Sequence, residues 1–131
     1  MKYLLDVNAL VALGHTLHMH HARAERWLKG VTPTAEALGT CAITELGFVR
    51  VSVQTGLQPD VAAAVQALAK LKASSPVNVE LWPDGVGADK LPRYVKRPAD
   101  LTDGHLVELG RGHGAHLVTL DSKIPDAVLI S

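Results

Sequence analysis

Four carboxylates occupy positions from which a fold can gather them. Asp6 directly follows the apolar run Lys2-Tyr3-Leu4-Leu5, and Asp121 directly follows His116–Leu120, whereas Glu45 and Asp103 fall in the first turns of segments with helical patterning. Carboxylates that meet at one edge repel one another and drift towards protonation unless a cation neutralises them, so a shared site implies bound metal. An oxygen-only ligand set favours magnesium or manganese. These hard ions take one or two carboxylates each and keep several waters, which leaves positions for a phosphodiester oxygen and a hydroxide. Phosphodiester hydrolysis is the chemistry that such a set would serve.

Each acid also has a plainer reading. Glu45 and Asp103 can complement the positive ends of their helices, an ordinary contribution of ~0.3–1 kcal/mol. Asp121 opens Asp-Ser-Lys, which is common turn chemistry. Asp6 is harder to explain away, because an acid between an apolar run and Val7-Asn8-Ala9-Leu10 is costly in a core without a partner.

The elements that must position these acids follow from the patterning. Strands are expected at Lys2–Leu5, Gly39–Ala42, Val77–Trp82, His116–Leu120 and Ala127–Ile130. Helices are expected from an Asn8 cap through Leu13, from His21 to Lys29 with Gly30 as the stop, over Ile43–Gln54, over Gln58–Lys72, and from Asp103 to Gly112 behind a Thr102 cap. The Ile43–Gln54 helix is read with Ile43, Leu46, Val49 and Val53 as its apolar positions. Strands alternating with helices imply an α/β fold with a parallel sheet between helical layers, where ligands bind beyond the carboxyl ends of the strands. Asp6 and Asp121 would then end strands at the edge where Glu45 and Asp103 open helices.

At 131 residues the chain has the size of one domain, 1–131, able to bury a real core. It is 47% hydrophobic and 20% charged, far from the balance of a disordered chain. Its single cysteine, Cys41, excludes an internal disulfide framework and a cysteine-based zinc site, so a reducing cytoplasm is the expected setting. No targeting segment is read, and no apolar stretch approaches the ~20 residues of a membrane span. The formal net charge is zero, which argues against a protein that coats nucleic acid through a globally basic surface. Contact with RNA would be local, and Lys90, Arg93, Lys96 and Arg97, which fall within one eight-residue segment interleaved with Tyr94, are the candidates. His15, His18, His20 and His21 form a dense cluster whose spacing matches no standard structural zinc site, so they are read as a solvated loop. Trp27 and Trp82 are read as core, and His105 as a surface position on its helix.

The ordered set Leu5-Asp6-Val7-Asn8-Ala9-Leu10, Ile43-Thr44-Glu45-Leu46-Gly47-Phe48-Val49-Arg50, Leu101-Thr102-Asp103 and Leu117-Val118-Thr119-Leu120-Asp121 resembles PIN domains, and most closely those of VapC-type toxins. It spans nearly the whole chain. The resemblance implies a three-layer α/β/α sandwich with a short central parallel sheet of four or five strands. It also implies an endoribonuclease dependent on Mg2+ or Mn2+, with RNA as substrate, a homodimer, and a VapB-type antitoxin as partner. Asp6, Glu45 and Asp103 match the family's three central acids, Asp121 matches a fourth whose role varies, and Asn8 matches a polar residue that supports the first aspartate. Gly104 and Ile124-Pro125 depart from the usual pattern. An antitoxin tail carrying an arginine would pair with the same carboxylates that serve catalysis. The alternative is a non-catalytic RNA- or protein-binding module on this fold, although clustered negative charge has little use in binding a polyanion without metal. A nuclease for structured DNA is disfavoured by small size and the lack of appended binding elements.

Overall fold

The first strand forms around Tyr3-Leu4-Leu5, a run of apolar side chains with no room for water on either side. In the computed structural model, which describes residues 1–131, Tyr3, Leu4 and Leu5 are all buried. This strand, β1 (Lys2–Leu5), lies at the centre of a five-stranded sheet. The other strands are β2 (Ala37–Thr40), β3 (Val79–Leu81), β4 (Ala115–Thr119) and β5 (Val128–Leu129). Their spatial order is β3-β2-β1-β4-β5, and every neighbouring pair is parallel. A parallel sheet must be covered on both faces, which is why its central strand reads as continuous apolar sequence rather than as an alternation.

The pleat sorts the core into two halves. Tyr3, Leu5, Leu38 and Val118 face α1 (Val7–Gly14), α2 (His21–Val31), α3 (Ala42–Gln54) and α4 (Val61–Ser74). Leu4, Ala37, Cys41 and Leu117 face the other way, against Leu106, Val107 and Leu109 of α5 (Leu101–Gly112). The result is helix, sheet, helix, with four helices on one face and one on the other. Two short 3₁₀ turns, Ala88–Lys90 and Pro98–Asp100, lie on the long connection from β3 to α5. No helix is long and apolar enough to cross a membrane.

Several local expectations shift. The first helix is capped by Asp6 and not by Asn8, since Asp6 has the extended backbone a cap needs and its carboxylate accepts from the Val7 N–H at 2.8 Å. In α2 the chain continues through Gly30 to Val31, and α4 starts only at Val61, where the Asp60 carboxylate takes the Ala63 N–H. Strand β2 ends at Thr40, because Cys41 already has the cap role for α3. The last helix begins at Leu101 instead of Asp103, because the Pro98–Asp100 turn runs directly into it.

The buried stripe of α3 is also not the one expected. Thr44, Gly47, Phe48 and Ser52 face the core, while Ile43 and Leu46 are 38% and 64% exposed. Close approach explains this phase: a Cβ on Gly47 would stand 2.5 Å from Val7 Cγ2, so α3 rests its backbone on α1. The Ser52 hydroxyl meanwhile satisfies itself on the Phe48 carbonyl at 2.6 Å.

The histidines are not a solvated loop throughout. His15 is buried, stacked on Phe48 with ring centroids 5.1 Å apart, and its Nδ1 bonds the Val11 carbonyl at 2.8 Å. His21 does the same for the Ala12 carbonyl. Both rings therefore close the C-terminal end of α1, where carbonyls lack helical partners. Trp82 is buried as expected, and Trp27 is half-buried edge-on against Tyr3.

Candidate active site

The carboxyl edge of the sheet begins with Asp6, the residue at which β1 turns into α1. Its side chain is nearly enclosed, at 6% exposure. Oδ1 accepts the Val7 N–H at 2.8 Å and Oδ2 accepts the Thr119 hydroxyl at 2.8 Å. Burial pushes its pKa up, the two hydrogen bonds oppose that, and the negative charge of Asp121 adds to the rise.

Thr119 is the residue that sequence reasoning missed. Leu5 pairs with Val118, so the next step in register sets Thr119 beside Asp6. Its hydroxyl donates to Asp6, accepts from the Asn8 side-chain amide at 3.1 Å, and accepts the Asp121 N–H at 3.0 Å. Asn8 Oδ1 takes the Leu120 N–H at 2.9 Å, which locks the amide's orientation. Asn8 thus reaches Asp6 through Thr119. A hydroxyl at the end of a strand whose other buried residues are apolar was the available signal.

Asp103 stands in the first turn of α5, on the helix packed over the Leu4 face. Its pKa is raised, first by burial, then by the charges of Asp6, Asp121 and Asp100. The strand before Asp121 ends at Thr119, one residue before the expected Leu120, yet the bond from the Asp121 N–H to Thr119 still holds Asp121 at this edge. Asp121 also caps its own turn, accepting the Lys123 N–H at 2.9 Å. A cleft of about 310 Å³ opens here, lined by Asp103, Asp121, Asp100, Arg97, Lys123 and Tyr94 among others.

Glu45 is arranged differently. It lies in the first turn of α3, and Thr40, the last residue of β2, donates to its Oε2 at 2.5 Å. The same oxygen receives the Lys72 ammonium from α4. Its charge is absent from those that act on Asp6 and Asp103. The structure therefore brings Asp6, Asp103 and Asp121 together as interacting charges and holds Glu45 on the same sheet edge with a cation of its own.

No three histidine, cysteine, aspartate or glutamate side chains lie close enough together to hold a metal ion by themselves. The donor chemistry suits a hydrated hard ion instead: every candidate ligand is a carboxylate, and burial together with neighbouring carboxylates raises the pKa values of Asp6 and Asp103, so a cation beside them would be favourable. Magnesium and manganese bind in this way, through one or two carboxylates and retained water.

The basic segment lies along the connection into α5, with Lys90, Arg93, Lys96 and Arg97 all exposed. Arg97 is engaged with Asp100 through two bonds of 3.0 Å at the mouth of the cleft. Gly104 has a reason here, since a Cβ on it would stand 2.4 Å from Val95 Cγ2, and its absence lets the segment seat on α5. His105 is not a free surface residue; it is tied to Asp84 at 2.6 Å.

The family model described as PIN domain matches residues 3–128. Ribonuclease VapC39 of Mycobacterium tuberculosis (strain ATCC 25618 / H37Rv) is 36% identical over 132 residues, covering 97% of this chain and 94% of that protein. Ribonuclease VapC38 of the same strain is 38% identical over 124 residues, covering 92% and 86%. Among solved structures, M. tuberculosis VapC20, described as a Sarcin-Ricin loop cleaving toxin, superposes with a TM-score of 0.62 at 19% identity, over 93% of this chain and 92% of that one. VapBC2 from Rickettsia felis, solved with a DNA fragment from its promoter, gives a TM-score of 0.64 at 13% identity, over 98% and 97%. At these identities the two structures speak to the fold.

Proposed function

We propose, from the premise that this chain belongs to the PIN domain family, that it is an endoribonuclease, the toxin of a VapBC-type toxin–antitoxin pair, and that its acidic edge works with Mg2+ or Mn2+. The observation that carries the site reading is that Asp103 feels the charges of Asp6 and Asp121, and Asp6 that of Asp121, three acids contributed by α5, the turn after β1 and the segment after β4. Three separate parts of the chain bring like charges together, an arrangement that a bound cation would stabilise.

Asp6, Asp103 and Asp121 would hold the ion with water in its remaining positions, and Glu45 would join from the α3 side. When bound, the ion supplies positive charge to the phosphate and lowers the pKa of its water. The protein's own residues do the positioning. Thr119 and Asn8 fix the Asp6 carboxylate, and α1 and α5 both open at this edge, so their amide ends add positive field for a phosphate. Lys90, Arg93 and Lys96 stand free on the surface to draw a polyanion towards a chain of zero net charge.

The same reading includes a VapB-type antitoxin whose basic tail occupies the acidic edge, and a homodimer. Support for a dimer comes from apolar surface left uncovered on α3 and α4: Leu46 is 64% exposed, Val61 60% and Val65 51%. The test is cleavage of RNA by the purified protein with Mn2+ present and absent, together with growth on expression alone and with the cognate antitoxin. A non-catalytic RNA-binding module would bind RNA without metal and leave it intact.

A further inference from the structure

Lys72 gives the acidic edge a property that the ligand set alone does not have. It sits in the last turn of α4, where the helix end favours a cation, and reaches across to α3 to meet Glu45. The pair is sheltered, with side-chain exposures of 29% for Lys72 and 21% for Glu45. Both the ammonium and the Thr40 hydroxyl fall on one carboxylate oxygen, Oε2. Glu45 thus carries a complete set of partners on that oxygen without any metal, whereas Asp6, Asp103 and Asp121 have no basic side chain bonded to them.

We propose that Lys72 is a resident counter-ion of Glu45 and that a divalent ion loads the site in competition with it. The inference rests on Glu45 being a ligand, as the proposed function has it. An ammonium on the ligand repels an arriving divalent ion and occupies lone pairs the ion needs, so loading requires the Lys72–Glu45 bond to lengthen or open. Lys72 is then a positioning residue: it sets the metal concentration at which the nuclease becomes competent. A purely structural tether between α3 and α4 would stabilise the fold and leave metal affinity alone.

Calorimetric titration of Mn2+ into the metal-free, full-length protein separates these roles. Lys72→Met should bind Mn2+ roughly three- to tenfold more tightly than wild type, the range a partly sheltered ion pair of ~0.6–1.4 kcal/mol corresponds to. Lys72→Gln is the second variant, should the methionine protein fold poorly, and Lys72→Arg should keep the wild-type affinity. Glu45→Gln should weaken binding, and adding Lys72→Met to it should bring no tightening. Unchanged or weaker affinity in both Lys72→Met and Lys72→Gln overturns the proposal. So does equal tightening in the Glu45→Gln background. If Glu45→Gln weakens binding while the Lys72 variants do nothing, the inference fails and the ligand reading stands; if Glu45→Gln changes nothing, both fail for Glu45.

Discussion

The Thr119 hydroxyl donates to Asp6 at 2.8 Å and accepts the Asp121 N–H at 3.0 Å, so one small side chain sets the position of two acids from different elements. Thr119→Val keeps the shape and removes these two bonds together with the one from the Asn8 amide. The buried Asp6 oxygen loses its donor, which costs about 1–3 kcal/mol of stability. RNA cleavage should fall ~10–100-fold, the usual cost of losing a group that orients a metal ligand. Thr119→Ser should restore most of both. Thermal melts and cleavage rates read the outcome, and a fully active Thr119→Val protein would remove Thr119 from the account.

Asp103 carries a sign that can be worked out. Burial, followed by Asp6 and Asp121, raises its folded pKa above the ordinary 3.8. The folded state therefore holds this proton more tightly than the unfolded chain. Its stabilising contribution is full below the ordinary value and is lost as pH rises through the raised one, leaving an ionised Asp103 that opposes folding at neutral pH. Asp103→Asn should raise the melting temperature of the metal-free protein by about 2–4 °C at neutral pH. The gain should shrink as pH falls towards 4. Mn2+ should stabilise the wild type and have little effect on the variant. A variant that melts below wild type at neutral pH and above it in acid contradicts the sign.

Gly104 is tested by Gly104→Ala. Alanine in a helix gains up to ~1 kcal/mol over glycine, but the new Cβ would stand 2.4 Å from the stiff, β-branched Val95. Overpacking of this kind costs ~1–3 kcal/mol, so the clash outweighs the propensity. The basic segment should lift from α5, with RNA affinity falling and Mn2+ affinity unchanged. Equal losses of both would show that the acids themselves had moved.

The uncovered apolar surface of α3 and α4 makes the dimer testable. Light scattering should report a dimer at micromolar concentration, and Val65→Lys, on a side chain 51% exposed, should yield monomer without loss of fold. A wild-type monomer contradicts the proposed assembly.

Much of this was legible in the sequence, and the exceptions share a cause. Asp6 was readable because an acid ending a buried apolar strand is costly, and the α/β alternation announced the parallel sheet. Asp103 was placed on the right helix although its cap was not. What stayed hidden was contact between elements: Lys72 on Glu45, Thr119 on Asp6, and Gly104 under Val95 all depend on which elements lie side by side. The stripe of α3 was misread because Gly47 has no side chain to signal burial and Ser52 is polar, yet Gly47 is buried where α3 rests on α1 and Ser52 is buried with its hydroxyl bonded to its own helix. The histidines misled in the opposite way, since a cluster on a connector looks solvated until two rings are found closing the end of α1.

The central claim is that Asp6 and Asp103 form part of a metal-dependent nuclease centre. Its most direct test is the rate of RNA cleavage by the purified protein across a Mn2+ titration, run beside Asp6→Asn and Asp103→Asn proteins whose folds are verified by circular dichroism. Wild-type cleavage should rise with Mn2+ and stop on chelation, and both variants should fall by at least ~100-fold, the scale on which loss of one group acting directly on developing charge is felt. Cleavage that persists in either folded variant at the wild-type rate, or that ignores chelation, would contradict the account.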